Sequence, residues 1–247
     1  MTPIDSPSIA AAPALSFSLG ADAFLRLAWL ASPALPVGGF SYSEGLESAV
    51  DSGRVTDEAS AGVWLCDVAA LNLARADLPA VAAAWRAWCG PLDEAAAALH
   101  SLNDWVLQTR ESGEFRQQTL QMGRSLADWL RQRAPDDARL PTLSSLQPAA
   151  TWPVAFALAA AQTGAPVGAA LLCFGFSWAE NMVQGAVKSV PLGQSAGQRL
   201  LGRLVEALPA LALQAEALPG SERQSFSPML AILSAQHEAQ YSRLFRS

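Results

Sequence analysis

Charged side chains are scarce in this chain of 247 residues: Lys, Arg, Asp and Glu together make up 15% of it, against about 25% in an average soluble domain. The formal net charge is −6 and the sequence pI is near 4.9. Clusters of four or more basic residues are missing. Because nucleic-acid binding depends on Lys and Arg that neutralise phosphates, this composition excludes a nucleic-acid partner.

Cysteine and histidine are also rare, with three and two residues respectively. Cys66, Cys89 and Cys173 are odd in number, widely spaced and set in apolar segments, which predicts buried free thiols in a reducing compartment. We therefore expect a cytoplasmic protein. Residues 1–20 contain no Lys or Arg and so lack the basic region of a secretory signal; we interpret them as a flexible Ala/Pro/Ser extension.

Strand-type patterns are missing too, because Val, Ile, Thr and Tyr do not alternate with polar residues anywhere in the chain. What is abundant is alanine, with 49 residues, and leucines and tryptophans that recur at spacings of three and four. This periodicity is typical of helices that bury one face. The sequence predicts an all-α fold: a single domain of roughly eight to ten packed helices over residues 21–240, followed by a docking tail at 241–247.

Capping residues predict the helix boundaries. Ser43 is expected to cap a helix over 44–52 that Gly53 ends in the left-handed conformation, and Thr56 to cap a helix running to Ala74. Asp77 is expected to cap the next helix, over 78–89. Pro209 should kink or divide a helical stretch over 195–218. Residues 135–148 are predicted to form a loop, and the other predicted helices cover 22–31, 92–132 as a pair that meets near 112–113, 151–162, 166–187 and 227–240.

One stretch raises the possibility of a membrane-associated protein. Residues 140–179 carry no charge, and a spanning helix needs about 20 consecutive apolar residues. Pro148, Pro153 and the segment QTGAP at 162–166 interrupt the stretch, which favours two buried helices over a membrane span. We expect no membrane partner, and keep the membrane-associated protein as an alternative.

Motifs for catalysis are incomplete. Lys188-Ser189 resembles the end of a phosphate-binding loop, but Val187 stands where that loop has glycine. The run HEAQY at 237–241 resembles a zinc-protease helix, but Tyr241 replaces the second histidine. We therefore predict no catalytic, cofactor-binding or metal-ligating residue. A soluble helical hydrolase that uses His237 and Glu238 is the alternative.

Two polar features stand out from this background. Ser177, Glu180, Gln184 and Lys188, spaced three, four and four residues apart, form a polar stripe on one helix face; Lys188 is the only lysine of the chain. The stripe is either an ordinary solvated face, a hydrated route or a polar seam between two copies. The second feature is the C-terminal tail, which packs Tyr241, Arg243, Leu244, Phe245 and Arg246 into seven residues. Such a segment docks on its own domain, docks on a partner, or frays.

Four blocks of sequence, in this order, resemble the UreF family of urease accessory proteins. The first is SPALPVGGFSYS at 32–43 with GLE at 45–47, in which the paired glycines form a turn before Tyr42. The second comprises TRE at 109–111, Glu114, Arg116 and QMG at 121–123. The third is AVKSVPLGQ at 186–194, and the last is HE at 237–238 with YSRLFRS at 241–247.

The resemblance implies an all-helical, homodimeric and non-enzymatic chaperone for nickel insertion into urease. Similar proteins bind the accessory protein UreD, also called UreH, and recruit the GTPase UreG, whose GTP hydrolysis they can modulate, to apo-urease. Tyr42, Tyr241, Arg243, Leu244, Phe245 and Arg246 fall in blocks that face UreD in similar proteins, and Lys188 in one that faces the dimer centre or UreG. The resemblance implies no stably bound cofactor, and nickel would pass through the complex only in transit.

Overall fold

The computed structural model describes residues 15–246, and within them the chain is all-α, as predicted, with no strand. It forms eleven α-helical segments, two of which belong to one continuous helix. Short 3₁₀ turns lie at Gly39–Ser41 and Gly220–Glu222. The segments are α1 (Ala21–Leu30), α2 (Leu46–Asp51), α3 (Glu58–Val68), α4 (Leu78–Cys89), α5 (Leu92–Gln108), α6 (Gly113–Arg133), α7 (Leu140–Ser145), α8 (Trp152–Ala161), α9 (Val167–Ser189), α10 (Gln194–Ala217) and α11 (Pro228–Glu238).

The charge-free stretch forms the centre of the protein. From Pro153 to Ala160 every residue of α8 is buried, and a helix that is apolar on all sides needs neighbours all round. Helices α4, α6 and α9 supply them. In the part of the chain that the structure describes, no helix combines the length and apolarity needed to cross a bilayer. Burial inside the fold therefore explains the composition that raised the membrane alternative.

Helices α3 and α4 are continuous because a π-helical segment, Ala69–Asp77, joins them. The predicted cap at Asp77 is wrong: its side chain makes no capping hydrogen bond and instead pairs with Arg110. The predicted cap at Thr56 is off by one residue. Asp57 caps α3 by accepting a hydrogen bond from the Ser60 backbone N–H at 2.8 Å, and Ser60 completes a capping box.

Other boundaries differ from the prediction for local reasons. Helix α2 begins at Leu46, later than expected, because Glu44 and Gly45 both adopt positive φ; Gly53 ends it in the left-handed conformation as predicted. Helix α7 occupies part of the predicted loop at 135–148. Pro209 does not divide α10, which runs unbroken from Gln194 to Ala217. Thr151 and Ser227 precede α8 and α11 as predicted, but neither side chain makes a capping hydrogen bond.

Close backbone contacts fix the packing of α6 on the start of α8. A Cβ at Gly123 would lie 2.0 Å from the Ala150 carbonyl oxygen, so only glycine fits. Buried Asn103 holds the same turn, since its amide donates to the carbonyls of Gln147 and Ala149 and accepts from the Thr151 N–H at 2.8 Å.

The three cysteines are all free, but they are not all buried as expected: Cys173 is buried, Cys66 is partly buried and Cys89 is exposed. The Cys173 thiol donates to the Leu27 carbonyl, and burial raises its pKa to about 12. Of the predicted extension, residues 1–14 lie outside the described residues. Leu15 and Leu19 pack against the core ahead of α1.

Candidate functional site

A fully buried histidine stands at the centre of the C-terminal region. The His237 side chain, on α11, is 0% exposed. Its Nδ1 lies 3.0 Å from both carboxylate oxygens of Glu114, at the start of α6, and its Nε2 lies 3.1 Å from Glu47 Oε2, on α2. Each ring nitrogen thus lies within hydrogen-bond distance of a buried carboxyl group. The ring therefore joins three elements that are distant in sequence.

The same two carboxylates hold the tail. Glu47 accepts hydrogen bonds from the backbone N–H groups of Leu244 and Phe245, at 2.7 and 3.0 Å. Glu114 accepts one from Arg243 Nη1 at 2.9 Å. We call His237, Glu47, Glu114 and Arg243 the tail clasp. Through it, the tail docks on its own domain and buries Phe245, so the frayed alternative is wrong.

Neighbouring contacts reinforce the clasp on both sides. Glu238 Oε1 accepts a hydrogen bond from the Glu114 backbone N–H at 3.1 Å, which places a carboxylate at the positive N-terminal end of α6. The Gln240 side chain bonds to Asp51, on α2. The Arg246 backbone N–H donates to the Ser41 carbonyl at 2.7 Å. Residues 238–246 are thus attached at several independent points.

Tyr42 lies beneath the tail rather than at the surface. Its side chain is 2% exposed, and its hydroxyl donates to Gln121 Oε1 at 2.7 Å. Gln121 also accepts from Arg246 Nη1 at 3.2 Å. Burial raises the pKa of the Tyr42 hydroxyl, and the hydrogen bond and charge of Arg246 oppose this shift. Tyr42 is therefore buried in this structure, and its part in binding a partner stays a prediction.

Several apolar side chains on α11 and the tail point outward. Tyr241 is fully exposed and Leu244 is 72% exposed, in contrast to the neighbouring Phe245. Phe226, just before α11, and Met229 and Ile232, on α11, are also exposed and are spaced three residues apart. We call these five residues the α11–tail face. Exposed apolar residues concentrated in one segment are typical of a protein–protein contact surface.

The polar stripe of α9 lines a cavity of about 300 Å³. All four predicted members border it; Ser177 and Glu180 are partly buried, while Gln184 and Lys188 are exposed. Aromatic residues from three elements also line the cavity: Phe40, Trp152, Phe174 and Trp178. The stripe is therefore not simply a solvated helix face.

Lys188 also connects the cavity to the tail. Its Nζ lies 5.7 Å from the centre of the Phe245 ring, at cation–π distance. Gly39 and Phe40, in the turn before Tyr42, line the same cavity, and the next residue, Ser41, binds the Arg246 backbone. The tail and the cavity thus share a wall.

Two carboxyls in the cavity wall have raised pKa values. Burial raises the pKa of Glu44, an effect opposed by a hydrogen bond from Trp178 and reinforced by Asp77. Glu44 accepts from Trp178 Nε1 at 2.9 Å and from Gln118 Nε2 at 2.8 Å. Burial likewise raises the pKa of Glu180. A raised carboxyl pKa means that the charged form lacks full compensation.

The geometry does not favour the hydrolase alternative. Both ring nitrogens of His237 are occupied by carboxylates, and no face of the ring reaches solvent, so the ring cannot act as a base towards a substrate. Glu238 bonds to the backbone of α6. Among residues 15–246, no group of three or more His, Cys, Asp and Glu side chains is arranged to hold a metal ion.

Sequence reasoning singled out His237 and Arg243 but missed Glu47, Glu114 and Glu44 as functional candidates. His237 lies 123 residues from Glu114 and 190 from Glu47. No local spacing could join such residues. The only available signal was that Glu47, Glu114, His237 and Arg243 all lie in the blocks that carry the family resemblance.

Comparison with known proteins agrees with that resemblance. The UreF family model matches residues 55–205. A urease accessory protein UreF from Methylibium petroleiphilum is 59% identical over 229 residues, which cover 92% of this chain and 95% of the relative. One from a Polaromonas species is 58% identical over 231 residues, or 93% and 97% of the two chains. A bifunctional urease accessory protein UreEF from Bordetella bronchiseptica is 44% identical and matches 93% of this chain with 53% of its own. The chain belongs to the UreF family of urease accessory proteins.

Proposed function

We propose that this protein is a non-catalytic scaffold for nickel insertion into urease, working in the cytoplasm. It forms a homodimer, binds UreD (UreH) and recruits the GTPase UreG to apo-urease. Family membership supports the urease role, and the exposed α11–tail face supports the role as a scaffold. The printed name of the Bordetella relative joins UreE and UreF in one chain, which makes a UreE-type protein a further candidate neighbour.

The α11–tail face is the observation that carries this proposal. The clasp attaches the tail to the domain while Tyr241 and Leu244 stay exposed, as do Met229 and Ile232 on α11. Large apolar and aromatic side chains on a pre-organised backbone are the usual anchors of interfaces. We assign this face to the UreD-type partner.

Outward residues test the assignment better than clasp residues. Tyr241→Ala and Leu244→Ala remove exposed side chains without touching the clasp, and we expect each to weaken UreD binding by about 1 to 4 kcal/mol. The measurement is titration calorimetry with purified UreD or quantitative co-purification. Val63→Ala is the matched control, because Val63 is an exposed apolar residue on α3.

Changes to the clasp should act indirectly. Arg243→Ala, or deletion of residues 241–247, should weaken UreD binding because the tail loses its attachment, and should also lower thermal stability. If the truncated protein and both outward variants recover UreD fully, the assignment of the α11–tail face is refuted.

Nickel transit and control of UreG are separate parts of the proposal. Carboxylate and amide oxygens bind Ni²⁺ weakly, so Glu180 and Gln184 in the cavity wall suit passage rather than storage. If Glu180→Ala and Gln184→Ala leave urease activation and complex assembly unchanged, the stripe has no part in transfer. The rate of GTP hydrolysis by UreG, measured with and without this chain, tests the modulation of UreG.

A further inference from the structure

Two carboxylates in the cavity beside α9 form no ion pair. Among the residues that the structure describes, neither Glu44 nor Glu180 has a salt-bridge partner, whereas Asp77, in the same cavity wall, pairs with Arg110. A partly buried carboxylate without a paired counter-charge is costly. The wall contains one lysine, Lys188, whose Nζ lies over the Phe245 ring, so Glu44 and Glu180 together leave an excess of one negative charge that a bound cation would neutralise.

The hydrogen bonding of Glu44 defines the shape of that cation. Each oxygen of Glu44 accepts one hydrogen bond from a neutral donor, Gln118 or Trp178. A carboxylate oxygen has two acceptor sites, so each retains one. Two acceptors on one carboxylate match the paired N–H donors of a guanidinium group.

The other walls favour an organic cation over a hydrated metal ion. Phe40, Trp152 and Trp178 provide apolar ring surfaces on which a planar cation can stack. Aromatic rings of this kind supply no ligands to a metal ion. The volume of about 300 Å³ lies at the lower end of the range for small-molecule sites.

We propose that this cavity binds a guanidinium group, with Glu44 as its bidentate acceptor and Glu180 as a second negative charge. Its source is either a free small guanidine or an arginine side chain that a partner protein inserts. The site goes beyond the scaffold role and does not depend on it, because the free chain presents it.

Nuclear magnetic resonance of the full chain tests the proposal directly. The indole N–H of Trp178 donates to Glu44, so its resonance reports on the occupancy of the cavity. Agmatine, a linear guanidine, should shift this resonance saturably with a dissociation constant on the order of 1 mM. Urea has the same planar shape without the charge, and should produce no saturable shift.

Matched variants locate the site. Glu44→Gln should weaken agmatine binding at least about tenfold while preserving side-chain size, and Glu180→Gln should weaken it less. Glu206→Gln, an exposed carboxylate on α10 outside the cavity, should have no effect. Thermal unfolding of each variant shows whether it folds; if Glu44→Gln does not, Glu180→Gln carries the test.

A complex with co-purified accessory partners separates the two sources. If agmatine no longer shifts the Trp178 resonance there, a partner's arginine fills the cavity; if it still does, the ligand is a free guanidine. Equal shifts from urea and agmatine, or agmatine binding unchanged by both cavity variants, would each overturn the proposal.

Discussion

At the scale of single residues, His237 resembles a catalytic residue in the sequence but has a structural role in the folded protein. In sequence, His237 followed by Glu238 resembles part of a metalloprotease motif. In the structure, His237 bridges two buried carboxylates, and Glu238 bonds to the N-terminal end of α6. Both residues position other groups, because they bring α2, α6, α11 and the tail together.

Replacing His237 should therefore damage stability. His237→Phe keeps a ring of similar size but removes both donors, which leaves Glu47 and Glu114 buried without their central partner. We expect a loss of about 3 to 5 kcal/mol in the free energy of unfolding, measured by urea denaturation. His100→Phe is the control, since the exposed bond from His100 to Ser145 should be worth less than about 1 kcal/mol. Equal losses in the two variants would contradict a central role for His237.

Asp137 gives a prediction about pH. Hydrogen bonds from Arg139 hold the pKa of Asp137 at about 2, below its ordinary value of 3.8, despite partial burial. A depressed carboxyl pKa stabilises the fold above the ordinary pKa, and the contribution is lost as the pH falls through the folded value. We expect Asp137 to contribute about 2 kcal/mol at neutral pH. Asp137→Asn should remove this contribution, so that the stabilities of the two proteins converge between pH 4 and pH 2; a constant difference would count against it.

At the scale of secondary-structure elements, close backbone approach decides how α6 meets α8. Gly123 sits in the middle of α6, where glycine ordinarily costs helix stability. The Ala150 carbonyl packs directly against Gly123, so the Cβ of any other residue would collide with the main chain just before α8. This contact explains why glycine occupies the position. The π-helical segment also positions a side chain, because it ends at Asp77, which pairs with Arg110 and lines the cavity.

A pair of glycine variants separates propensity from packing. Gly123→Ala should destabilise the protein by at least about 1 to 3 kcal/mol, because the contact is with backbone. Gly202→Ala, in α10, meets nothing within 4 Å and should stabilise by about 0.5 to 1 kcal/mol through helix propensity. Thermal or urea unfolding measures both. Stabilisation in both variants would show that α6 and α8 are not in close contact.

At the scale of the whole molecule, a second exposed apolar surface lies on α1 and α9. Phe24, Leu25 and Trp29 on α1 are 58%, 65% and 45% exposed, and Phe176 on α9 lines the same apolar groove as Phe24. A patch of this kind is unfavourable in water. For the homodimer proposed above, we expect the two copies to meet at this surface.

One substitution in that groove should change the oligomeric state. Phe24→Glu places a charge in an apolar contact, so we expect a dimer-to-monomer shift in size-exclusion chromatography with light scattering. Val63→Glu introduces the same charge at an exposed apolar position on α3 and should leave the dimer intact. A wild-type chain that stays monomeric at high concentration would contradict the assignment.

Local patterns in the amino-acid sequence predict the fold class, most helix boundaries and the buried helix α8, because helix periodicity, caps and apolar runs are local properties. They also mark the polar stripe, since residues three and four apart share one helix face. The predicted cap at Thr56 was wrong because the adjacent Asp57 caps the helix instead. The predicted cap at Asp77 was wrong because the helix continues through this residue, which pairs with Arg110.

The contacts, burial and pKa shifts of the clasp and cavity residues depend on the tertiary structure. The clasp joins carboxylates and an imidazole from positions up to 190 residues apart, and the cavity gathers side chains from several elements around Glu44. Their hydrogen bonds and their pKa shifts arise from burial and proximity, which depend on how the helices pack. Local patterns cannot encode such distances, and the same packing that buries Tyr42 leaves Tyr241 exposed.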